Sequence, residues 1–368
     1  MKTKPSPSKR SRPAMAEAIA EPFEIGGTSV KPGERRIIDL PVTDLSTHTP
    51  MTMPVQVICG RKPGPRLFVC AALHGDEISG VEIIRRVLKL NDLRRLRGTL
   101  VAVPIVNVFG FVSLSRYLPD WRDLNRSFPG TPKGSLASRL AHLFLGEIVA
   151  QCTHGIDLHT GAMHRVNYPQ IRANLDDPEA ARMATSFGVP VVVNATLRDG
   201  SLRQAAGGQG VPVIVYEAGE ALRFDELSIR AGVKGVARVM RALNMLPARK
   251  GGRKPVDPII GRSSTWVRAP ASGILRASVV LGSPVAEGES LGIVSDPFGE
   301  KEAEVSSPSD GVVVGRTNLP LVHEGDGLFH IVRVEGTQVA AETLDAFSPE
   351  EAYKEGLTAE LADDPVLS

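Results

Sequence analysis

The sequence predicts an α/β protein: a mixed, mostly parallel sheet flanked by helices, followed by a second, smaller all-β domain of the barrel-sandwich kind. Three observations carry this. Apolar, β-branched runs alternate with helical periodicity up to about residue 245, which is the pattern of strand and helix units packed around a parallel sheet. A basic Gly/Pro-rich stretch, "LPARKGGRKPVDP", then breaks the alternation and reads as a linker. Beyond it come short β segments with Gly-rich turns, in two halves that share the motif seen in "APASGIL" and "SPSDGVV".

Taken in order, residues 1–20 form a basic, Pro/Ser-rich tail with no apolar stretch long enough for a secretory signal. The first domain spans 21–246. In it "RLFVCAAL" is a continuous apolar run that fits a strand buried on both faces. After it Ile78, Val81, Ile83, Ile84, Val87 and Leu88 fall on one side of a helix, with Arg85, Arg86 and Lys89 left to solvent. "TLVAVPIVN", "GIDLH", "VPVVVNA" and "VPVIVYEAG" read as further strands, "SLASRLAHLFLGEIVAQC" as a helix, and helical periodicity returns from Glu226 to Leu246. The linker covers 247–264, the β domain 265–340, and an acidic, peripheral tail 341–368.

Composition bounds the function. With 368 residues, 42% hydrophobic and 23% charged, the chain can build a large core and more than one domain. The net charge of +2 owes its sign to Lys2, Lys4, Lys9, Arg10 and Arg12, all before the first acid, Glu17, so the balance gives no support for a nucleic-acid partner. No window approaches the roughly twenty apolar residues of a membrane span, so no membrane partner is expected. Cys59, Cys70 and Cys152 are odd in number and sit among apolar residues, which suits reduced core thiols and a cytoplasmic protein.

The chemistry gathers at strand ends, where open α/β sheets place their ligand sites. His74 and Glu77 follow one strand, and His159 follows another. Taken singly, His74 and Glu77 read as a helix cap and His159 as a core histidine. Together they supply two nitrogens and a carboxylate, the three-ligand set of a catalytic zinc with one open position. Asp157 is placed to orient an imidazole. "SRYLPDWRDLNRSFPG" carries Arg116, Arg122, Asn125 and Arg126 in a Pro/Gly-punctuated loop, which is either a solvated basic loop or a carboxylate grip. Glu217 emerges at the end of "VPVIVYEAG", either as a surface acid or as a proton carrier beside a metal.

The motifs "HGDE", "DLNRSFPG", "DLHTG" and "YEAGE", in that order, resemble those of the succinylglutamate desuccinylase and aspartoacylase family of zinc amidohydrolases, which is related to the zinc carboxypeptidases. The resemblance covers most of residues 50–340 and implies a zinc carboxypeptidase-like fold. It makes His74, Glu77 and His159 the ligands of one Zn2+ per subunit, Glu217 the general base and later acid, and Asn125 with Arg126 the pair that holds the substrate carboxylate. An upstream arginine polarises the scissile carbonyl in that family; Arg116 is the choice here, with Arg122 the alternative. The implied substrate is a small N-acyl amino acid, and a homo-oligomer is possible. The β domain resembles the barrel appended to many members of the family, itself similar to lipoyl and biotinyl carriers. Lys301 lacks the flanks of a carrier lysine, so the barrel is expected to be a cap or assembly element. Two other functions remain open on the residues alone: a zinc carboxypeptidase trimming peptides, and a binding module whose site has decayed.

Overall fold

The computed structural model describes residues 19–249, 257–334, 343, 344 and 347. Its elements in chain order are β1 (Phe23–Ile25), β2 (Thr28–Val30), β3 (Arg35–Asp44), β4 (Pro50–Cys59), β5 (Lys62–Ala71), α1 (Ser79–Val87), β6 (Arg97–Val103), α2 (Val108–Ser113), α3 (Leu136–Glu147), β7 (His154–Gly161), β8 (Arg165–Ala173), α4 (Pro178–Phe187), β9 (Val191–Asn194), α5 (Leu202–Gly207), β10 (Val213–Glu220) and α6 (Glu226–Ala242). The C-terminal part adds β11 (Ile259–Gly261), β12 (Ser263–Arg268), β13 (Gly273–Ala277), β14 (Pro284–Val285), β15 (Ser290–Ser295), β16 (Glu302–Ser306), β17 (Gly311–Thr317), β18 (Leu321–Val322) and β19 (Gly327–Arg333).

The large sheet is mixed. Its centre, β10, β7, β5 and β6, is parallel throughout, while β8 joins β10 antiparallel on one side and β4 and β3 continue antiparallel on the other. The apolar runs read as doubly buried strands are that centre. Leu67, Val69 and Ala71 of β5 pack with α1, α4 and α6 on one face. Phe68 and Cys70, of opposite parity, pack with α3 on the other. All three cysteines are buried and unpaired. Strands β3, β4 and β8 and helix α4 have no counterpart in the reading by apolar runs, because their burial alternates or is incomplete.

The β domain has two layers. A four-stranded antiparallel sheet of β16, β15, β13 and β18 faces β17, β19 and β12 across a core that includes Leu275, Leu291, Val294, Val313, Phe329 and Ile331. The two copies of the repeated motif begin strands in opposite layers, at Gly273 of β13 and Gly311 of β17. The second layer is not a separate sheet: β17 pairs with β8, so one sheet runs from β12 through β19, β17, β8 and β10 to β3.

The stretch assigned to the linker is correspondingly shorter in structure. Residues 250–256 lie outside the described residues, but Ile259–Gly261 form β11, parallel to β9, and Ser263 already opens β12. The β-branched Ile259 and Ile260 explain why a Gly/Pro-rich segment ends in strand. Residues 1–18 and nearly all of the acidic tail lie outside the described residues. Leu344, within that tail, is buried against Val191, Val312 and Val332, where β9 meets the β domain.

Helix α1 lies very close to the sheet. A Cβ at Gly80 would stand 2.6 Å from Ala71 Cβ and 2.9 Å from Leu158 Cβ. Replacing Gly80 by Val is therefore expected to push α1 off β5 and β7 and to cost about 1–3 kcal/mol, the usual range for overpacking. The denaturant midpoint measures this, and an unchanged midpoint would refute the close approach.

Candidate active site

Strand β5 ends in a sharp turn: Ala72 adopts φ +49°, in the left-handed region that costs a residue with a Cβ. The strain is held by backbone bonds, since Val106 N donates to Ala71 O and Asn107 N to Ala72 O. The following "HGDE" loop packs directly on α2, where a Cβ at Gly75 would fall 1.9 Å from Gly110 C. Only glycine permits that approach. The loop does not cap α1: the N-cap is Ile78 and makes no side-chain capping bond. Ser79 Oγ instead donates to Arg223 O. His74 and Glu77 are thus free of the helix-cap role.

They turn inward. Glu77 has only 3% of its side chain exposed and is the hub of the site. His74 Nδ1 lies 2.7 Å from Glu77 Oε1 and His159 Nδ1 lies 2.7 Å from Oε2. Arg116 donates to Oε1 at 3.2 Å, and the backbone N–H of Thr160 to Oε2 at 3.1 Å. The ligand atoms of His74, Glu77 and His159 all lie within 4.8 Å of one another.

The outer nitrogens are also held. His74 Nε2 meets Asp123 Oδ1 at 3.2 Å, and His159 Nε2 meets Asp157 Oδ2 at 2.8 Å. Asp157 therefore orients an imidazole as its position suggested. Asp123 does the same for the other histidine and pairs with Arg116 at 3.0 Å. It was named in no role from sequence, because its partner lies 49 residues away.

Charge follows from this geometry. Burial alone raises the Glu77 carboxyl, but the His74 and His159 charges outweigh it and hold it well below the usual carboxylate range. Burial works against the charged imidazoles too. Glu77 and Asp123 nevertheless hold His74 above its ordinary value, and Asp157 and Glu77 hold His159 well above it. Asp123 is pushed up by burial but brought low overall, chiefly by His74 and then Arg116.

The donor set fits a divalent cation. Both Nδ1 atoms face the same carboxylate, and both Nε2 positions face a fixed acceptor. Exchanging the two Nδ1 protons for one ion of charge two preserves the charge balance around Glu77.

Glu217 stands on β10 in register beside His159 of β7. Its Oε2 accepts from Asn167 Nδ2 at 2.7 Å, and Arg172 Nε lies 3.6 Å from Oε1. The loop before α3 sorts its arginines. Arg116 reaches the ligand cluster, whereas Arg122 has 64% of its side chain exposed and lies 3.9 Å from Asp120. Arg126 donates to the Asn125 carbonyl, and among the described residues no carboxylate lies within ion-pair distance of it. Asn125 accepts from Leu202 N at 2.9 Å through its side-chain oxygen, which leaves its amide hydrogens available. Asn167 and Arg172 were not singled out from sequence; Pro169 between them argues against the strand that carries both.

The fold and site define a class. Residues 63–243 match the succinylglutamate desuccinylase/aspartoacylase catalytic domain. Among its relatives is the N-alpha-acetyl-L-2,4-diaminobutyric acid deacetylase of Halomonas elongata, 26% identical over 338 residues, covering 88% of this chain and 96% of the relative. Two solved structures share the fold. A succinylglutamate desuccinylase/aspartoacylase from Rhodobacter sphaeroides has a TM-score of 0.72 at 23% identity, covering 82% of this chain and 96% of its own. The product-bound ectoine utilization protein EutE (DoeB) of Ruegeria pomeroyi has a TM-score of 0.73 at 23% identity, covering 82% and 95%. Among the described residues no helix is long and apolar enough to cross a membrane.

Two outcomes are expected. Replacing His74 by Ala should abolish metal binding while leaving α1 folded, since His74 takes no part in capping; loss of helical circular dichroism would contradict this. In chelator-treated protein the signs differ by group. Glu77, with its pKa depressed, adds stability that is present above its unfolded value of about 4.3 and lost as pH falls. His74 and His159, with theirs raised, add stability that is full below about 6.5 and lost as pH rises through their folded values. The cluster therefore contributes most between about pH 4.3 and 6.5. Added Zn2+, which needs both Nδ1 atoms deprotonated, is expected to raise Tm more at about pH 8 than at about pH 6. A pH-independent Zn2+ shift would remove the imidazoles from the ligand set.

Proposed function

We propose that the protein is a zinc-dependent N-acyl amino acid deacylase, hydrolysing the amide bond of a small substrate to a carboxylic acid and an amine. The observation that carries this is the convergence of a His74/Glu77/His159 donor set with Arg116, and Glu217 in register beside His159. The match to that catalytic domain and the diaminobutyrate deacetylase relative support the same reaction.

His74, Glu77 and His159 would hold one zinc ion, whose chemistry when bound is to polarise a carbonyl oxygen and to bring the pKa of water toward neutrality. Arg126, with the Asn125 amide, holds the substrate carboxylate and so fixes which carbonyl lies beside the ligand cluster. The guanidinium fork suits that carboxylate. Arg116, already facing the Glu77 carboxylate, offers positive charge where the carbonyl oxygen becomes an oxyanion. Glu217 takes a proton from the attacking water and returns it to the departing nitrogen.

A panel of N-acyl amino acids assayed with and without chelator tests the reading. Metal-dependent release of amine is expected, and its absence across the panel would overturn it. Peptides with free C-termini are expected to be poor substrates by comparison. Replacing Glu217 by Gln should lower kcat by about 10²-fold or more with zinc retained, the loss expected on removing a general base.

A further inference from the structure

The sheet that carries the base continues into the β domain, and the residues behind Glu217 come from both. On β8 two residues, Tyr168 and Pro169, oppose the single Ala218 of β10, because Gln170 pairs with Glu217 and Asn167 with Gly219. This bulge tolerates the proline and re-aims the strand. Asn167 is thereby brought onto Glu217, its Nδ2 2.7 Å from Oε2.

The next three strands complete the row. Asn167 pairs with Gly315 of β17, Gly315 with His330 of β19, and His330 with Trp266 of β12. A second bulge, with Val314 as the extra residue, sets Gly315 opposite His330. Gly315 is the gap in that row: a Cβ there would stand 2.9 Å from Asn167 Oδ1 and 3.2 Å from His330 Cβ. The His330 ring stacks on Trp266, 5.0 Å between centroids at 6°. Its Nδ1 lies 3.3 Å from Nη2 of Arg172, the arginine that faces the other oxygen of Glu217.

We propose that the β domain is part of the catalytic apparatus through Gly315 and His330, positioning residues that hold Asn167 and Arg172 against the two carboxylate oxygens of Glu217. The proposal rests on the reading of Glu217 as the base. A base must present one oxygen to water in a fixed direction, and a carboxylate on three rotatable bonds does not do so unaided. Asn167 fixes Oε2 by a hydrogen bond, and Arg172 draws Oε1 electrostatically. Each of these needs its own support. Asn167 keeps its rotamer because nothing projects from Gly315. Arg172 is oriented by a ring that is itself clamped on Trp266. Burial, reinforced by the Arg172 charge, lowers the His330 pKa to about 3, so the ring stays neutral and Nδ1 stays an acceptor.

Full-length Gly315→Ala, His330→Phe and His330→Asn proteins test this beside Glu217→Gln, with zinc content, Tm and steady-state kinetics measured for each. Gly315→Ala meets the movable end of Asn167, so it is expected to fold with Tm near wild type. His330→Phe keeps the stack on Trp266 and loses the acceptor. Both are expected to lower kcat at least ~10-fold with KM and zinc content little changed, since a misplaced group at the reacting centre costs up to about 10²-fold. His330→Asn, whose Oδ1 lies where Nδ1 was, should recover most of the loss. Folded, zinc-loaded Gly315→Ala and His330→Phe with wild-type kcat would overturn the proposal. If Gly315→Ala does not fold, the contrast between His330→Phe and His330→Asn decides, and equal kcat in the two would overturn it. Full activity in Glu217→Gln would overturn the base assignment itself, and this proposal with it. A crystal structure of Gly315→Ala gives a readout independent of turnover, with Asn167 expected to be displaced from Glu217.

Discussion

The buried carboxylate of Glu77 is the constraint around which the first domain is arranged. An ionised group with 3% of its side chain exposed is stable only where hydrogen bonds and opposite charge replace the water it has lost. No single segment supplies them. One imidazole comes from its own loop, the other and a backbone N–H from the end of β7, and a guanidinium from the loop before α3. These segments must meet at one point for Glu77 to be charged, so the local oddities around it become intelligible. Ala72 takes a left-handed conformation to bring the loop over the sheet. Gly75 lets that loop lie against Gly110 without an intervening Cβ. Leu222 N donates to Asp76 O and Ala221 N to Gly161 O, tying the segment after β10 to both histidine-bearing segments.

The parallel centre of the sheet makes this meeting possible. β5, β7 and β10 run the same way and sit side by side, so their C-terminal ends present three loops at one edge. Antiparallel neighbours would send alternate ends away. The register adds the last element, since the pairing of Glu217 with His159 fixes the lateral distance between the proposed base and the His/Glu/His cluster by backbone hydrogen bonds. Side-chain orientation is then adjusted by Asp123 and Asp157, which grip the outer nitrogens of the two histidines.

This arrangement was legible in the sequence where the signal is local. The central strands are apolar on both faces and show as uninterrupted runs, and the polar residues that follow them stand out for being unneeded by a turn. The partnership of His74 with Asp123 was not legible, nor was the separation of Arg116 from Arg122, because both depend on the path of a loop that has no periodicity. β8 was hidden for a different reason. Its proline and its polar residues, Asn167, Gln170 and Arg172, contradict the pattern of a central strand, and the bulge that accommodates them also brings Asn167 onto Glu217. The boundary of the second domain was obscured by composition: the Gly/Pro-rich segment marks where the chain leaves the first fold, but it does not reveal that the sheet continues.

That continuity changes what the β domain is to the site. A cap joined through a linker could shift or be lost without moving Glu217. A domain whose strand pairs with β8 shares backbone hydrogen bonds with the strand that flanks Glu217, so displacing it would break the ladder that holds Asn167. The order across the sheet is from His74 and Glu77 after β5 and His159 on β7, to Glu217 on β10, to Asn167 and Arg172 on β8, and then to β17 and β19 of the second domain. The supports lie in the middle of that order, with neighbours on both sides. Asn167, which β8 without β17 would leave at an edge open to water, is instead enclosed and directed. A carboxylate base gains from that enclosure, because water competing for its oxygens would loosen the orientation on which proton transfer depends.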